Sequence, residues 1–98
     1  MSILITAAAS AGSYQLKNRL GSDDVILGDY MELPELMLKT GKMIKLPSPA
    51  SNSYSHLVLT LCLDRNIDII YPLRKEEQML LKESEQLFEE YGIAIKIP

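Results

Sequence analysis

Two segments carry residue types that could do chemistry, and each follows a predicted strand. The first is a small-residue loop in which Ala7-x-Ala9-x-x-Gly12 matches the register of the dinucleotide-binding fingerprint G-x-G-x-x-G. Alanine at the first two positions resists the positive φ that glycine would supply there. Asp29 ends the second predicted strand, where dinucleotide-binding domains often place the acid that holds the ribose. This pattern favours a tight strand-to-helix turn with a capping aspartate, and nucleotide or phosphate binding is the alternative.

The second segment, Tyr71-Pro72-Leu73-Arg74-Lys75-Glu76-Glu77, lies between the fourth predicted strand and the last predicted helix. The helix dipole favours acids in a first turn, which gives Glu76 and Glu77 a structural explanation. The functional alternative is that both glutamates, with Arg74, contact a substrate or a neighbouring domain. We expect the two segments to border one cleft, whose candidate residues are Thr6, Ala7, Ala9, Gly12, Asp29, Pro72, Arg74, Glu76 and Glu77.

The single histidine and the single cysteine do not form a site with other residues. His56 falls in the first turn of a predicted helix, with no nucleophile or metal ligand at a suitable spacing. Cys62 lies in an apolar run and is interpreted as a small buried hydrophobe. The motifs HExxH, GxxxxGK[ST], GxSxG and paired CxxC do not occur. We therefore expect no catalytic residue and no metal site, and hence no complete enzyme active site in this chain alone. The remaining alternative is a stand-alone enzyme that uses Asp29 or Glu76 as a base.

Five short apolar segments alternate with helical ones and must position these residues. The predicted strands are Ile3–Thr6, Val25–Asp29, Lys42–Leu46, Ile67–Tyr71 and Ile93–Ile97, and the predicted helices are 13–20, 33–40, 53–66 and 75–91. This alternation is typical of a Rossmann-like α/β/α fold with a mostly parallel sheet and right-handed crossovers. The third and fifth strands carry lysines at or near their middles, as edge strands often do. The predicted strand order is therefore 3-2-1-4-5, with the ligand-binding switch point between strands one and four.

Composition excludes several classes of partner. The chain has 98 residues, a length that predicts one domain spanning 1–98. Its net charge is −3 and its basic residues are scattered, so nucleic acid is not an expected partner. Apolar runs are too short to span a membrane, the start lacks a signal-peptide pattern, and the lone cysteine fits a reducing compartment. We expect a cytoplasmic protein.

The predicted helix over 53–66 is apolar around most of its circumference. Its apolar side chains are Leu57, Val58, Leu59, Leu61, Cys62 and Leu63. A surface helix of an isolated small domain normally has a polar back. We therefore expect this helix either to bury a second face against a partner or to pack in a generous core.

Several segments, taken in order, resemble a known family over nearly the whole chain. They are Ile3-Leu4-Ile5-Thr6 with its small-residue loop, Leu27-Gly28-Asp29-Tyr30, Lys45-Leu46-Pro47 with the serine-rich loop before Tyr54, and Ile67-Asp68-Ile69-Ile70-Tyr71-Pro72-Leu73 leading to Glu76 and Glu77. Together they resemble the pre-ATP-grasp domain, the Rossmann-like N-terminal module of carboxylate–amine ligases of the carbamoyl-phosphate-synthase and biotin-carboxylase type.

The resemblance implies an accessory role. In that family two ATP-grasp subdomains follow the module and hold ATP, the metals and most catalytic residues, while the module shapes the substrate cleft and often joins in dimerisation. By resemblance, 7–12 and 72–77 border that cleft, although Lys75 stands where the family often has an acid. ATP and Mg²⁺ are expected only through an ATP-grasp partner. Because the family's ATP-grasp portion would begin near Pro98, we expect a partner subunit, a stand-alone relic or an excised domain, inactive alone and acting as a homodimer or with an ATP-grasp subunit.

Overall fold

The fold is built around a five-stranded sheet, seen in a computed structural model that describes residues 2–21 and 24–97. The strands are β1 (Ser2–Ile5), β2 (Val25–Asp29), β3 (Met43–Lys45), β4 (Ile67–Tyr71) and β5 (Ala94–Ile95). Their order is β3-β2-β1-β4-β5, and every described pairing is parallel. The predicted fold class and strand order are confirmed. The central strand β1 buries Leu4 and Ile5 completely, as expected for a strand with helices on both faces.

Helices cover both faces of the sheet, and each face has its own hydrophobic cluster. The helices are α1 (Ala11–Leu20), α2 (Glu35–Lys39), α3 (Tyr54–Asp64), α4 (Lys75–Glu83) and α5 (Glu85–Glu90). Leu16 of α1 packs with Ile5 and Leu27 on one face. Val58 of α3 and Leu81 of α4 pack with Ile70 on the other. Among the described residues, no helix is long and apolar enough to cross a membrane.

The bounds of all four predicted helices differ from those in the structure, most clearly at the start of α1 and within the predicted helix over 75–91. Helix α1 begins at Ala11 rather than Ser13, because the Ser13 hydroxyl donates back to the Ser10 carbonyl at 2.8 Å instead of capping a helix start. The predicted helix over 75–91 is divided at Ser84, whose N–H bonds to the Leu81 carbonyl only three residues back. Leu81 and Phe88 are both fully buried on either side of this break. Because a seven-residue spacing keeps two side chains on one helix face, the apolar pattern reads as continuous and hides the break.

Strand β4 contains one residue that does not pair with β1. Ser2 is opposite Ile67, whereas the next residue, Ile3, is opposite Ile69, so Asp68 is extra. The Asp68 carboxylate instead accepts the backbone N–H of Ser2 at 3.2 Å. As a result Ile67 and Ile70 both belong to the hydrophobic cluster under α3, although strict alternation would put them on opposite faces.

Helix α3 is only partly covered. Val58, Leu59 and Cys62 are buried against the sheet, while Leu57 and Leu63 are 48% and 45% exposed. The apolar circumference seen in the sequence therefore corresponds to a buried face together with uncovered leucines. Burial of those leucines against a partner stays a prediction.

Candidate functional site

The candidate site lies where β1, β2 and β4 end. Parallel strands direct their carboxyl ends to one edge of the sheet, and β1 lies between β2 and β4 in the strand order. Thr6 follows β1, Asp29 closes β2, and Pro72 follows β4. All three are buried. The topology therefore brings the chemistry-bearing residues of three separate segments together at the predicted switch point.

An ion pair between Asp29 and Arg74 closes this edge. The Arg74 Nη2 atom donates to both Asp29 carboxylate oxygens, at 3.1 and 3.0 Å. The same carboxylate accepts the backbone N–H groups of Ala9 at 3.1 Å and Met31 at 3.3 Å. Asp29 is fully buried, whereas the Arg74 side chain is 25% exposed and its guanidinium lies 5.0 Å from the centre of the Tyr30 ring. The acid at the end of β2 thus already has its hydrogen-bond partners within the protein.

These partners determine the charge of Asp29. Burial by itself raises the pKa of a carboxyl group. Here the Ala9 and Met31 amides and the Arg74 guanidinium outweigh burial and lower the pKa of Asp29 below its usual range. Asp29 is therefore an anion held in place by Arg74, and it could accept a ribose hydroxyl only if these bonds were broken.

A second buried carboxyl group, that of Glu77, has a raised pKa, whereas the pKa of Asp29 is lowered. Glu77 is completely buried in the first turn of α4, and neither carboxylate oxygen has a partner at hydrogen-bond distance among the described residues. Burial raises the pKa of Glu77, and the Thr6 hydroxyl and Arg74 offset that effect only in part. The Tyr54 hydroxyl is also buried, with no hydrogen-bond partner in the part of the chain that the structure describes, and burial together with the Glu77 charge raises its pKa. This part of the site favours neutral groups.

Thr6 links β1 to the segment that carries Arg74. Its hydroxyl oxygen accepts the backbone N–H of Leu73 at 2.8 Å, and its own N–H donates to the Tyr71 carbonyl at 3.2 Å. Both bonds fix the chain just before Arg74. Thr6 is therefore a positioning residue for the ion pair.

The small-residue loop after β1 is held by its own hydrogen bonds. Ala7 has φ +56°, the left-handed conformation that the sequence reasoning expected alanine to resist, so that expectation is wrong. The Ala7 carbonyl accepts both the N–H and the hydroxyl of Ser10, at 2.9 and 2.8 Å, and the Ala8 N–H donates to Gly28. These bonds hold the turn in place. They offset the cost of the left-handed conformation at Ala7, which is about 1–2 kcal/mol.

The structure brings together some of the predicted cleft residues and separates others. Thr6, Asp29, Arg74 and Glu77 form one buried cluster, and Ala9 contributes its amide. Gly12 is an exposed residue of α1 with ordinary φ, and an added Cβ there would meet only the Ser10 hydroxyl oxygen at 3.8 Å. Glu76 is also exposed and lines a groove on the outer side of α4 instead.

Sequence reasoning missed two residues at this site. Tyr54 was treated only as the residue after a serine-rich loop, although it is buried and the Glu77 charge helps to raise its pKa. Gly28 is required because a Cβ there would lie 2.9 Å from the Leu46 Cγ atom. A glycine inside a strand that is otherwise mostly apolar is a signal for such close approach.

The chemistry available at the cluster is limited. Among residues 2–21 and 24–97, no group of three or more histidine, cysteine or acidic side chains could hold a metal ion. Cys62 is fully buried, and burial raises its pKa to about 12, so it is a poor nucleophile. The cluster offers a paired anion, Asp29, and a buried carboxyl group, Glu77, whose pKa is raised.

Comparison with known proteins found no match, either to a protein-family model or to a curated protein.

Proposed function

We propose that this domain is a non-catalytic accessory module that packs against an ATP-grasp carboxylate–amine ligase and helps to shape its cleft. The observation that supports this proposal most directly is the ion pair between Asp29 and Arg74, at 3.0 Å. The acid best placed to hold a ligand at the switch point is bound to the protein itself. A module whose own site residues hold one another fits a structural role better than a catalytic one.

The described residues do not fit ATP or Mg²⁺ on their own. Asp29 is paired, Glu77 is buried with a raised pKa, and no acidic group is arranged as a metal cluster in the described part of the chain. Both ligands would belong to the ATP-grasp partner. By the resemblance described above, the partner would contact the loop over 7–12 and the segment over 72–77, where Ala9 and Gly12 are exposed.

The test is reconstitution with an ATP-grasp protein of the same organism that lacks a module of this type. We expect substrate-dependent ADP release to require the domain and to fall at least tenfold with Ala9→Arg, which places a bulky cation at the proposed contact. Asn18→Arg is the matched control, because Asn18 is exposed further along α1 and away from that loop. Equal ADP release with and without the domain, and no complex by light scattering, would refute the proposal.

The same preparation tests the alternative of nucleotide or phosphate binding. A ligand that binds only the folded state raises Tm by mass action. We expect no shift of Tm with millimolar ATP, ADP, NAD or phosphate added to the domain alone. A clear shift that Ala9→Arg removes would favour the ligand-binding alternative instead.

A further inference from the structure

A groove of about 340 Å³ lies on the outer side of α4, away from the buried cluster. It is lined by Pro49, Ala50, Glu76, Met79, Leu80 and Glu83. Its four α4 residues are spaced three, one and three apart, so they form one stripe along the helix. Met79 is 60% exposed at the centre of that stripe. The stripe therefore presents apolar side chains between two carboxylates.

The opposite wall of the groove is held in place by hydrogen bonds. Pro49 and Ala50 belong to the loop between β3 and α3, where the Ala50 N–H donates to the Ser48 hydroxyl at 3.1 Å. The Ser51 N–H donates to the Ser48 carbonyl at 3.0 Å. Across the groove, the Ser55 hydroxyl donates to the Leu80 carbonyl at 3.5 Å and ties α3 to α4. These bonds fix the loop that forms one wall and the position of α3 relative to α4.

The two carboxylates of the groove have no cationic partner within residues 2–21 and 24–97. Neither Glu76 nor Glu83 is in an ion pair with any residue of the described chain, and Lys82 pairs with Glu85 at 3.0 Å rather than with its neighbour Glu83. The helix dipole accounts for Glu76 in the first turn of α4. It does not account for Glu83, the last residue of that helix. At a rise of ~1.5 Å per residue, the two acids are about 10 Å apart along the axis.

We infer that this groove binds an amphipathic helix of another protein, with apolar side chains on Met79 and Leu80 and a Lys or Arg at each of Glu76 and Glu83. A helix whose basic residues are seven positions apart matches the ~10 Å separation of the acids. A second copy docked by a two-fold axis would place these carboxylates against each other. Nucleic acid and anionic lipid would be repelled for the same reason. The inference does not depend on the proposed ATP-grasp role.

The test is an NMR titration of the ¹⁵N-labelled protein. The probe is a 15-residue alanine-rich helical peptide with two lysines seven positions apart and leucines at the third and fourth positions between them. We expect its binding to shift the amide signals of Ala50, Met79, Leu80 and Glu83 and to weaken at higher salt. The matched probe carries glutamates in place of the lysines and should bind at least tenfold more weakly.

Two double variants distinguish binding at this groove from a general effect of the protein's negative charge. Glu76→Gln with Glu83→Gln should weaken binding of the lysine peptide at least fivefold. Glu89→Gln with Glu90→Gln, which removes two exposed acids from α5, should leave it unchanged. The same spectra show whether each variant is folded. Met79→Ser is a further variant, which removes the apolar side chain of the groove and keeps both carboxylates.

Three results would overturn the inference. The first is equal binding of the lysine and glutamate peptides, and the second is no shift at the groove. The third is self-association of the protein that light scattering detects without peptide and that the double glutamine variant at Glu76 and Glu83 abolishes, because the occupant would then be a second copy.

Discussion

Asp29 and Arg74 are 45 residues apart in the chain, yet one Arg74 nitrogen lies 3.0 and 3.1 Å from the two Asp29 carboxylate oxygens. The bond joins the end of β2 to the segment after β4, across the end of β1 that separates them in the sheet. The two strands that flank β1 are thereby joined at their carboxyl ends by a charged contact, in addition to the backbone ladder that each forms with β1. The pair is buried on the Asp29 side only.

The ion pair should contribute stability that depends on pH. Because the folded pKa of Asp29 is lowered, this stability is present above the ordinary value of 3.8 and is lost as pH falls through the folded pKa. Arg74→Met should lower the free energy of unfolding by about 2 kcal/mol at pH 7 and by much less in acid. Urea unfolding at pH 7 and pH 3 measures the difference. A double-mutant cycle with Asp29→Asn is the control, and additive effects would show that the two side chains are not coupled.

Glu77 should have the opposite pH dependence. Its folded pKa is raised, so its contribution to stability is complete below the ordinary value of 4.5 and is lost as pH rises through the folded pKa. Glu77→Gln should therefore raise Tm at pH 7 by roughly 4–8 °C, equivalent to about 1 kcal/mol, and by less at pH 4. Glu76→Gln, one residue earlier and exposed, should change stability by less than about 0.5 kcal/mol. Destabilisation by Glu77→Gln at pH 7 would mean that the carboxylate is charged and bound.

Gly28 should tolerate no side chain while Leu46 is present. A Cβ at Gly28 would lie 2.9 Å from the Leu46 Cγ atom, so Gly28→Ala should cost about 1–3 kcal/mol. In the Leu46→Ala background, Gly28→Ala should cost less than it does when Leu46 is present. Chemical denaturation of the single and double variants measures this favourable coupling. Gly12→Ala is the matched control and should stabilise α1 by about 0.5–1 kcal/mol, because that site has room. Equal losses at both glycines would contradict the packing described here.

Cys62 should react only after unfolding. It is fully buried, and burial raises its pKa to about 12, so little thiolate exists at pH 8. A chromogenic disulfide reagent should modify Cys62 rapidly in roughly 6–8 M urea, which unfolds the protein. In buffer the modification should be at least a hundredfold slower. Ser53→Cys places a thiol at an exposed position and is the positive control. Fast modification of Cys62 in buffer would indicate local opening of α3.

Architecture was the part most accessible from the sequence, because it depends on patterns that repeat. Continuous apolar runs predicted buried parallel strands, and lysines in the third and fifth strands predicted the edges that β3 and β5 occupy. The break at Ser84 was invisible because Leu81 and Phe88 keep helical spacing across it. Periodicity records which face a side chain occupies and does not record whether the helix is continuous.

The site was predicted as a set of residues but not as a set of bonds. Asp29 and Arg74 were both assigned to the cleft, yet a pairing across 45 residues depends on the β2-β1-β4 order and on the rotamer of a long side chain. The left-handed Ala7 was missed for a related reason. Intrinsic preference disfavours that conformation, and three hydrogen bonds within and beside the turn, two of them to Ser10, impose it.

The unpaired Asp68 in β4 sets where Arg74 arrives. An extra residue takes up chain length without a position in the ladder, so every later residue of the strand faces the side opposite to that expected from strict alternation. If Asp68 instead paired with Ile3 in a regular ladder, Ile69 and Ile70 would exchange faces and Arg74 would lie one position further beyond the end of β1. The distance between the guanidinium and its acid is therefore governed partly by a residue at the far end of the strand, which touches neither.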